Sequence, residues 1–294
     1  MATYSFTRAR IFQWMGILLA LGVIAVSYWY FSVRAGVKLN TSEVQSNGSG
    51  RLESGLGLYY AFDEGAGSTL NDLSSNIYDG ATDITWATGQ IGGAGYFDGS
   101  ANVSDSDSGP EAIDFTDGED FTMAAWFNRD TFTSDDTIIA RRTGISAANN
   151  GYILYIDDAT DKLTFEVSDG TDEYQLESVS TFTSTGWHHF AVVWDQDSAA
   201  GSEIYINGIA NSAADTGTIG NIGDLSNTRV IALGAESDAG NPFDGKLDEL
   251  QIYRRALTTG EIQSLYKQGQ VDEVRIYDRA LTAAEITSLY NVSH

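Results

Sequence analysis

Residues 203–212 read EIYINGIANS, and this stretch decides the fold. Glu203–Ile206 alternates polar and apolar side chains, the run after Gly208 continues in strand-like fashion, and Asn207-Gly208 stands between them. A type I′ turn requires positive φ at both central residues, which Asn-Gly adopts at little steric cost. The stretch is a hairpin. Outward from it the same period of two recurs. WHHFAVVW at 187–194 precedes it, and Leu56, Leu58, Tyr60 and Phe62 alternate with Gly57, Tyr59 and Ala61. Phe121, Met123, Ala125 and Phe127 do likewise, with Trp126 on the opposite face. Further strands are expected at 137–140, 152–156, 163–167, 230–233 and 247–253, with turns at Asp98-Gly99, Asp169-Gly170 and Asp244-Gly245. Many short strands with regular turn signals specify an all-β sandwich of two packed antiparallel sheets. One helix is expected at 258–266, where Thr258 caps and Glu261 completes a capping box.

Composition narrows the function. The 294 residues carry 41 acids against 16 bases, a formal charge of -25. Nucleic-acid binding needs a positive track that releases counterions, so that class is excluded. The acidity suits a soluble head in a saline or calcium-containing medium; plain surface solubility explains it equally well. Without cysteine there are no disulfides, no thiol catalysis and no sulfur-ligated metal. Three histidines, one at the terminus, leave little for a transition-metal site. His188 and His189 are neighbours on a strand and point to opposite faces, so they do not converge on one metal.

The amino-terminal run IFQWMGILLALGVIAVSYWYFSV, 11–33, has no charged residue and is long enough to span a hydrocarbon core of about 30 Å. Tyr28–Phe31 form an aromatic cluster suited to the far interface. The expectation is a transmembrane anchor at 11–33 behind a basic segment 1–10, with the carboxy-terminal part exported to the extracellular or periplasmic side. A cleaved signal peptide, giving a secreted protein, is the rival; the apolar run exceeds the usual 7–15-residue h-region. Residues 34–54 read as a Gly/Ser/Asn-rich spacer.

Several segments in order resemble the laminin-G-like jelly roll of the concanavalin A-like lectin/glucanase superfamily. They are LGLYYAFDEGAG at 56–67, DLSSNIYDG at 72–80, GYFDG at 95–99, FTMAAWF at 121–127, GWHHFAVVWD at 186–195, IYINGI at 204–209 and FDGKLDELQIYRRALTTGEIQSLY at 243–266. The resemblance implies a two-sheet jelly roll over 55–268, first and last strands close together, and a short helix after the closing strand. It implies no particular activity, because the scaffold serves lectins, adhesion proteins and accessory modules alike. Enzymes of this fold carry E-x-D-x-x-E on a strand, a pattern this chain lacks, and Asp248-Glu249 are adjacent and expected on opposite faces. No catalytic residues are assigned. Similar jelly rolls hold calcium between an early loop and the acid that begins the last strand, which carried over suggests Asp72, Asn76 and Asp248. Such an ion would offset carboxylate repulsion and close a long chain loop. The plain alternative is that Asp72 caps a turn and Asp248 accepts backbone hydrogen bonds. Trp126, Trp187 and Trp194 read as packing residues, with Trp86, in a turn-rich stretch, the better candidate for sugar stacking.

The tail is duplicated. Asp248, Glu249, Ile252, Tyr253, Arg255, Leu257, Thr258, Glu261 and Ile262 recur 24 positions later, within 269–294. A sandwich has one slot for that strand, so the second copy extends a sheet edge, displaces the first, enters a neighbour's sheet, or is an unused duplication. The sequence thus points to an anchored, non-catalytic surface module for a glycan or extracellular protein, calcium-stabilised. The alternatives are a surface-layer or filament subunit that self-associates through its amino-terminal helix and tail, and a carbohydrate hydrolase.

Overall fold

The computed structural model describes residues 52–100, 103–105, 111–132, 135–144, 146, 148–213, 215–237, 239–269, 277 and 279–292. The chain divides into two units, Met1–Ser54 and Gly55–His294, and the second carries the head. The expected anchor at 11–33 and the tail strand at 271–276 lie outside the described residues. Among those described, no helix is long and apolar enough to cross a membrane.

Seventeen strands are described. They are β1 (Leu56–Tyr60), β2 (Thr69–Leu70), β3 (Gly80–Thr82), β4 (Thr85–Thr88), β5 (Gly93–Asp98), β6 (Val103–Asp105), β7 (Phe121–Arg129), β8 (Asp136–Ala140) and β9 (Gly151–Ile156), followed by β10 (Lys162–Ser168), β11 (Glu173–Thr181), β12 (His188–Trp194), β13 (Glu203–Ile206), β14 (Ile209–Ala210), β15 (Thr216–Gly217), β16 (Ala232–Leu233) and β17 (Asp244–Tyr253). One sheet runs β14-β13-β12-β7-β17-β5-β4, with β1 also on β17; the other runs β15-β11-β10-β9-β8-β16-β6-β3-β2. All named strand pairs are antiparallel. The hairpin at 207–208 forms as expected, with φ of 51° at Asn207 and 75° at Gly208.

Alternate side chains fill the core. Leu58, Tyr60 and Phe62 join Met123, Ala125 and Phe127 from one layer, and Leu154, Ile156, Phe165 and Val167 meet them from the other. First and last strands are neighbours, Tyr59 opposite Gln251 and Tyr60 opposite Leu250. Helix α1 (Thr259–Tyr266) carries the expected capping box. It covers the outer face of the first sheet, where Tyr266 lies over Trp126 and His189. The two adjacent histidines do part. His189 is buried beside Trp126, whereas His188 packs on Phe127 and Phe182. Burial pushes His189 down to about 3, so it stays neutral.

Two expectations are corrected, and a buried ion pair stands beside them. Strand β11 is an addition to the expected set; its inward Tyr174, Leu176 and Ser178 alternate, but an acid-rich sequence masks the pattern. Trp86 lies within β4, half-buried against the core, rather than in a turn. Asp136 begins β8, where it is buried and ion-paired with Arg129.

Candidate functional site

Strand β17 changes partner along one edge. From Asp244 to Leu247 it pairs with β5, and from Leu250 to Tyr253 with β1. Asp248 and Glu249 occupy the gap. Here the register with β7 also shifts, and Glu249 takes a positive φ of 54°. A bulge of this kind re-aims side chains, so strict alternation, which would send these acids to opposite faces, does not apply.

The gap gathers carboxylates from separate elements. Asp248 Oδ2 accepts from Ile91 N (2.8 Å), in the turn joining β4 to β5. Asp63, just beyond β1, accepts from Gly93 N at the end of the same turn (2.6 Å). Tyr59 Oη donates to Glu249 Oε2 (2.7 Å). Asp248 is fully buried and its Oδ1 has no partner. Burial, then the like charges of Glu249 and Asp63, push Asp248 up to about 7 against the backbone N–H groups that favour its charge. Burial and Asp63 also raise Glu249. The Tyr59 hydroxyl is raised by burial and by Glu249, and remains a proton donor. An ionisable oxygen with no donor and no exposure, set among like charges, is an electrostatic deficit that a hard cation removes.

The sequence-derived trio divides between two places. Asp72 accepts four hydrogen bonds, from Tyr59 N and Ser74 N at Oδ1 and from Ser74 Oγ and Tyr78 N at Oδ2. Asn76 Nδ2 donates to Gly57 O (2.8 Å). These two therefore tie the loop after β2 to the edge of β1, while Asp248 engages the β4–β5 turn. Sequence reasoning misses Asp63 and Glu249 as partners of Asp248. Adjacency in FDE and DE gives no hint, because the bulge that aims Glu249 has no signal in sequence alone.

A second acidic group comprises Asp135, Asp157 and Asp158, each offering an oxygen within 4.8 Å of the others. Two of its six oxygens serve turn geometry: Asp157 Oδ1 accepts from Ala159 N and Thr160 N, and Asp135 Oδ1 from Asp158 N.

The sequence signature of the concanavalin A-like lectin/glucanases superfamily matches residues 97–263, more than half of the chain. No curated protein matches. Among solved structures, the binding domain of Paraclostridial Mosquitocidal Protein 1 is similar at 19% identity and a TM-score of 0.58, over 74% of this chain and 52% of that one. Domain 4 of AbnA, an extracellular GH43 arabinanase from Geobacillus stearothermophilus solved with arabinotriose, is 21% identical with a TM-score of 0.54, over 72% of this chain and 98% of that one. The ligand binding domain of botulinum neurotoxin serotype D, solved with N-acetylneuraminic acid, is 14% identical with a TM-score of 0.54, over 74% and 52%. The chain spans about half the length of these toxin domains, and all three likenesses are ones of fold.

Proposed function

The chain belongs to the concanavalin A-like lectin/glucanases superfamily, and from that premise we propose that it is a non-catalytic glycan-binding module displayed outside the cell and closed by one calcium ion. The observation that carries the calcium reading is the buried, unpartnered Oδ1 of Asp248, flanked by Glu249 and Asp63. Asp248, Glu249 and Asp63 are the hard oxygen donors that would close on the ion, although among the described residues only Asp135, Asp157 and Asp158 already hold their carboxylate oxygens within 4.8 Å of one another. Asp72 and Asn76 hold the adjoining strand edge. When bound, calcium supplies positive charge that favours the ionised carboxylates; it does no chemistry. Its place in the fold gives it a structural role, since one ion would join the turn after β1, the β4–β5 turn and the last strand. A residue with no exposure, as Asp248 is, cannot reach a glycosidic oxygen, which argues against hydrolysis at this cluster.

Glycan binding is favoured by the family and by the two relatives solved with sugars, and the run 11–33 supplies the anchor that exports the head. The test is an array of glycans and matrix proteins probed with the full chain, with calcium or with chelator. Calcium-dependent binding to glycan spots supports the reading; no glycan binding in either condition defeats it.

One observation favours a second reading, a self-associating surface subunit. Helix α2 (Ala283–Val292) rebuilds the cap of α1, with Thr282 and Glu285 exchanging hydrogen bonds and Arg279 pairing with Glu285 as Arg255 pairs with Glu261. Yet Ile286 is 56% exposed and Tyr277 42%, where Ile262 and Tyr253 are buried. Mass photometry of the full chain and of one ending at Gln268 separates the readings: a larger assembly for the full chain alone favours self-association.

A further inference from the structure

At the end of the head where β1 begins, a pocket of about 370 Å³ opens between Gly55–Gly57, Asn76, Tyr78, Ala112 and Arg254. It lies at the small end of the range for small-molecule sites, roughly 300–1,000 Å³. We propose that it binds a neutral saccharide residue. The inference rests on the reading of the head as a glycan-binding module and assigns that module a site.

The floor is backbone. A Cβ on Gly57 would come within 2.5 Å of the Ala112 carbonyl oxygen, so only glycine lets the 3-10 turn at Glu111–Ile113 close against β1. Asn76, Tyr78 and Arg254 complete the lining. Tyr78 is half-buried against the core, which fixes its ring. Asn76 Nδ2 is tied to Gly57 O (2.8 Å), which fixes the amide. Among the described residues, none donates to Asn76 Oδ1 and none pairs with the Tyr78 hydroxyl. A planar ring, an oriented acceptor and a free hydroxyl suit the mixed apolar faces and hydroxyls of a sugar.

Charge selects against acidic sugars. Arg254 is paired with Glu119 and donates to Asp114 O, so its charge is compensated. The net charge of -25 repels anions besides.

The chain segment between two lining residues adds an independent sign. Ile77, between Asn76 and Tyr78, has φ of 60° and is 71% exposed. A β-branched residue in the left-handed region is strained. Nothing in the core requires Ile77, since it faces solvent; an apolar contact to ligand is a use for it.

The test uses the full chain in a non-glycosidic detergent with calcium. Methyl glycosides of glucose, galactose, mannose, arabinose and N-acetylglucosamine, and their short oligomers, are titrated beside galacturonate and sialyllactose. Hydrogen-exchange mass spectrometry locates the contact. Neutral sugar is expected to protect peptides covering 55–57, 76–78 and 112. Tyr78→Phe and Ile77→Asn are each expected to weaken binding about tenfold. Because asparagine tolerates positive φ, Ile77→Asn is also expected to keep or raise the unfolding temperature. A variant that gains stability while losing affinity separates recognition from folding. Sugar binding that protects other peptides, unaffected variants, or a preference for the acidic sugars would overturn the inference and leave the glycan-binding reading standing. Absence of binding to any sugar here and on the array removes both.

Discussion

Replacing Asp248 by asparagine should change the sign of its effect with calcium. The amide keeps an oxygen for the Ile91 N–H but removes a charge that is buried beside Glu249 and Asp63. Its folded pKa of about 7 stands above the 3.8 of a free aspartate. The folded head therefore binds more protons than the unfolded chain between those values. The stability associated with the protonated form is complete below pH 3.8 and is lost as pH rises through 7. At 1.36 kcal/mol per pH unit the loss approaches about 4 kcal/mol by pH 8, and screening at the gap lowers it to about 2–4 kcal/mol. In chelator at pH 8, Asp248→Asn should thus be the more stable protein, by roughly 5–15 °C at about 2–4 °C per kcal/mol. Calcium at a hundredfold excess over its dissociation constant should stabilise the parent by about 2.7 kcal/mol and leave the variant nearly unmoved. The assay is thermal unfolding by circular dichroism at pH 5 and pH 8, with and without calcium. Other acids share the pH trend, so the difference between the two proteins is the quantity to read. A variant that is less stable in chelator at pH 8, and responds to calcium like its parent, refutes the reasoning.

Arg129→Met should cost about 3–5 kcal/mol in urea unfolding, because it strands the buried Asp136, and Asp136→Leu in the same chain should recover much of the loss. Buried His189, pushed down to about 3, takes no proton until well below the 6.5 of a free imidazole, so stability falls as pH drops from 6.5, by about 2 kcal/mol at pH 5. His189→Phe should flatten that slope, measured as the pH dependence of the unfolding midpoint. Ending the chain at Gln268 should leave the midpoint within about 1 °C, since Ile286 and Tyr277 are exposed.

The architecture is legible because burial in a sandwich writes itself as period two. Leu58, Tyr60, Met123 and Phe127 are all identifiable as one packed set from their alternation alone. The 207–208 hairpin and the Thr258–Glu261 cap are legible because local chemistry determines both. Strand β11 is obscured because Gln175 and Glu177 cover an outward face in an acid-rich stretch. The site is less legible. Asp248 stands out by its place at the last strand, but its neighbours Asp63 and Glu249 depend on where β17 trades β5 for β1. That switch is a tertiary event joining the two ends of the head, and no local pattern encodes it. Asp72 stands out as an acid near a turn, yet its two oxygens are occupied by four donors that only the folded loop brings together.

Calorimetric titration of calcium into the chelator-treated full chain at pH 6.5, repeated in buffers of different ionisation heat, bears most directly on the proposal that one ion closes the head. One saturable site is predicted, whose filling expels about one proton, with that release fading above pH 8 as Asp248 ionises unaided. Heats that never saturate, or a proton count near zero at pH 6.5, would contradict it.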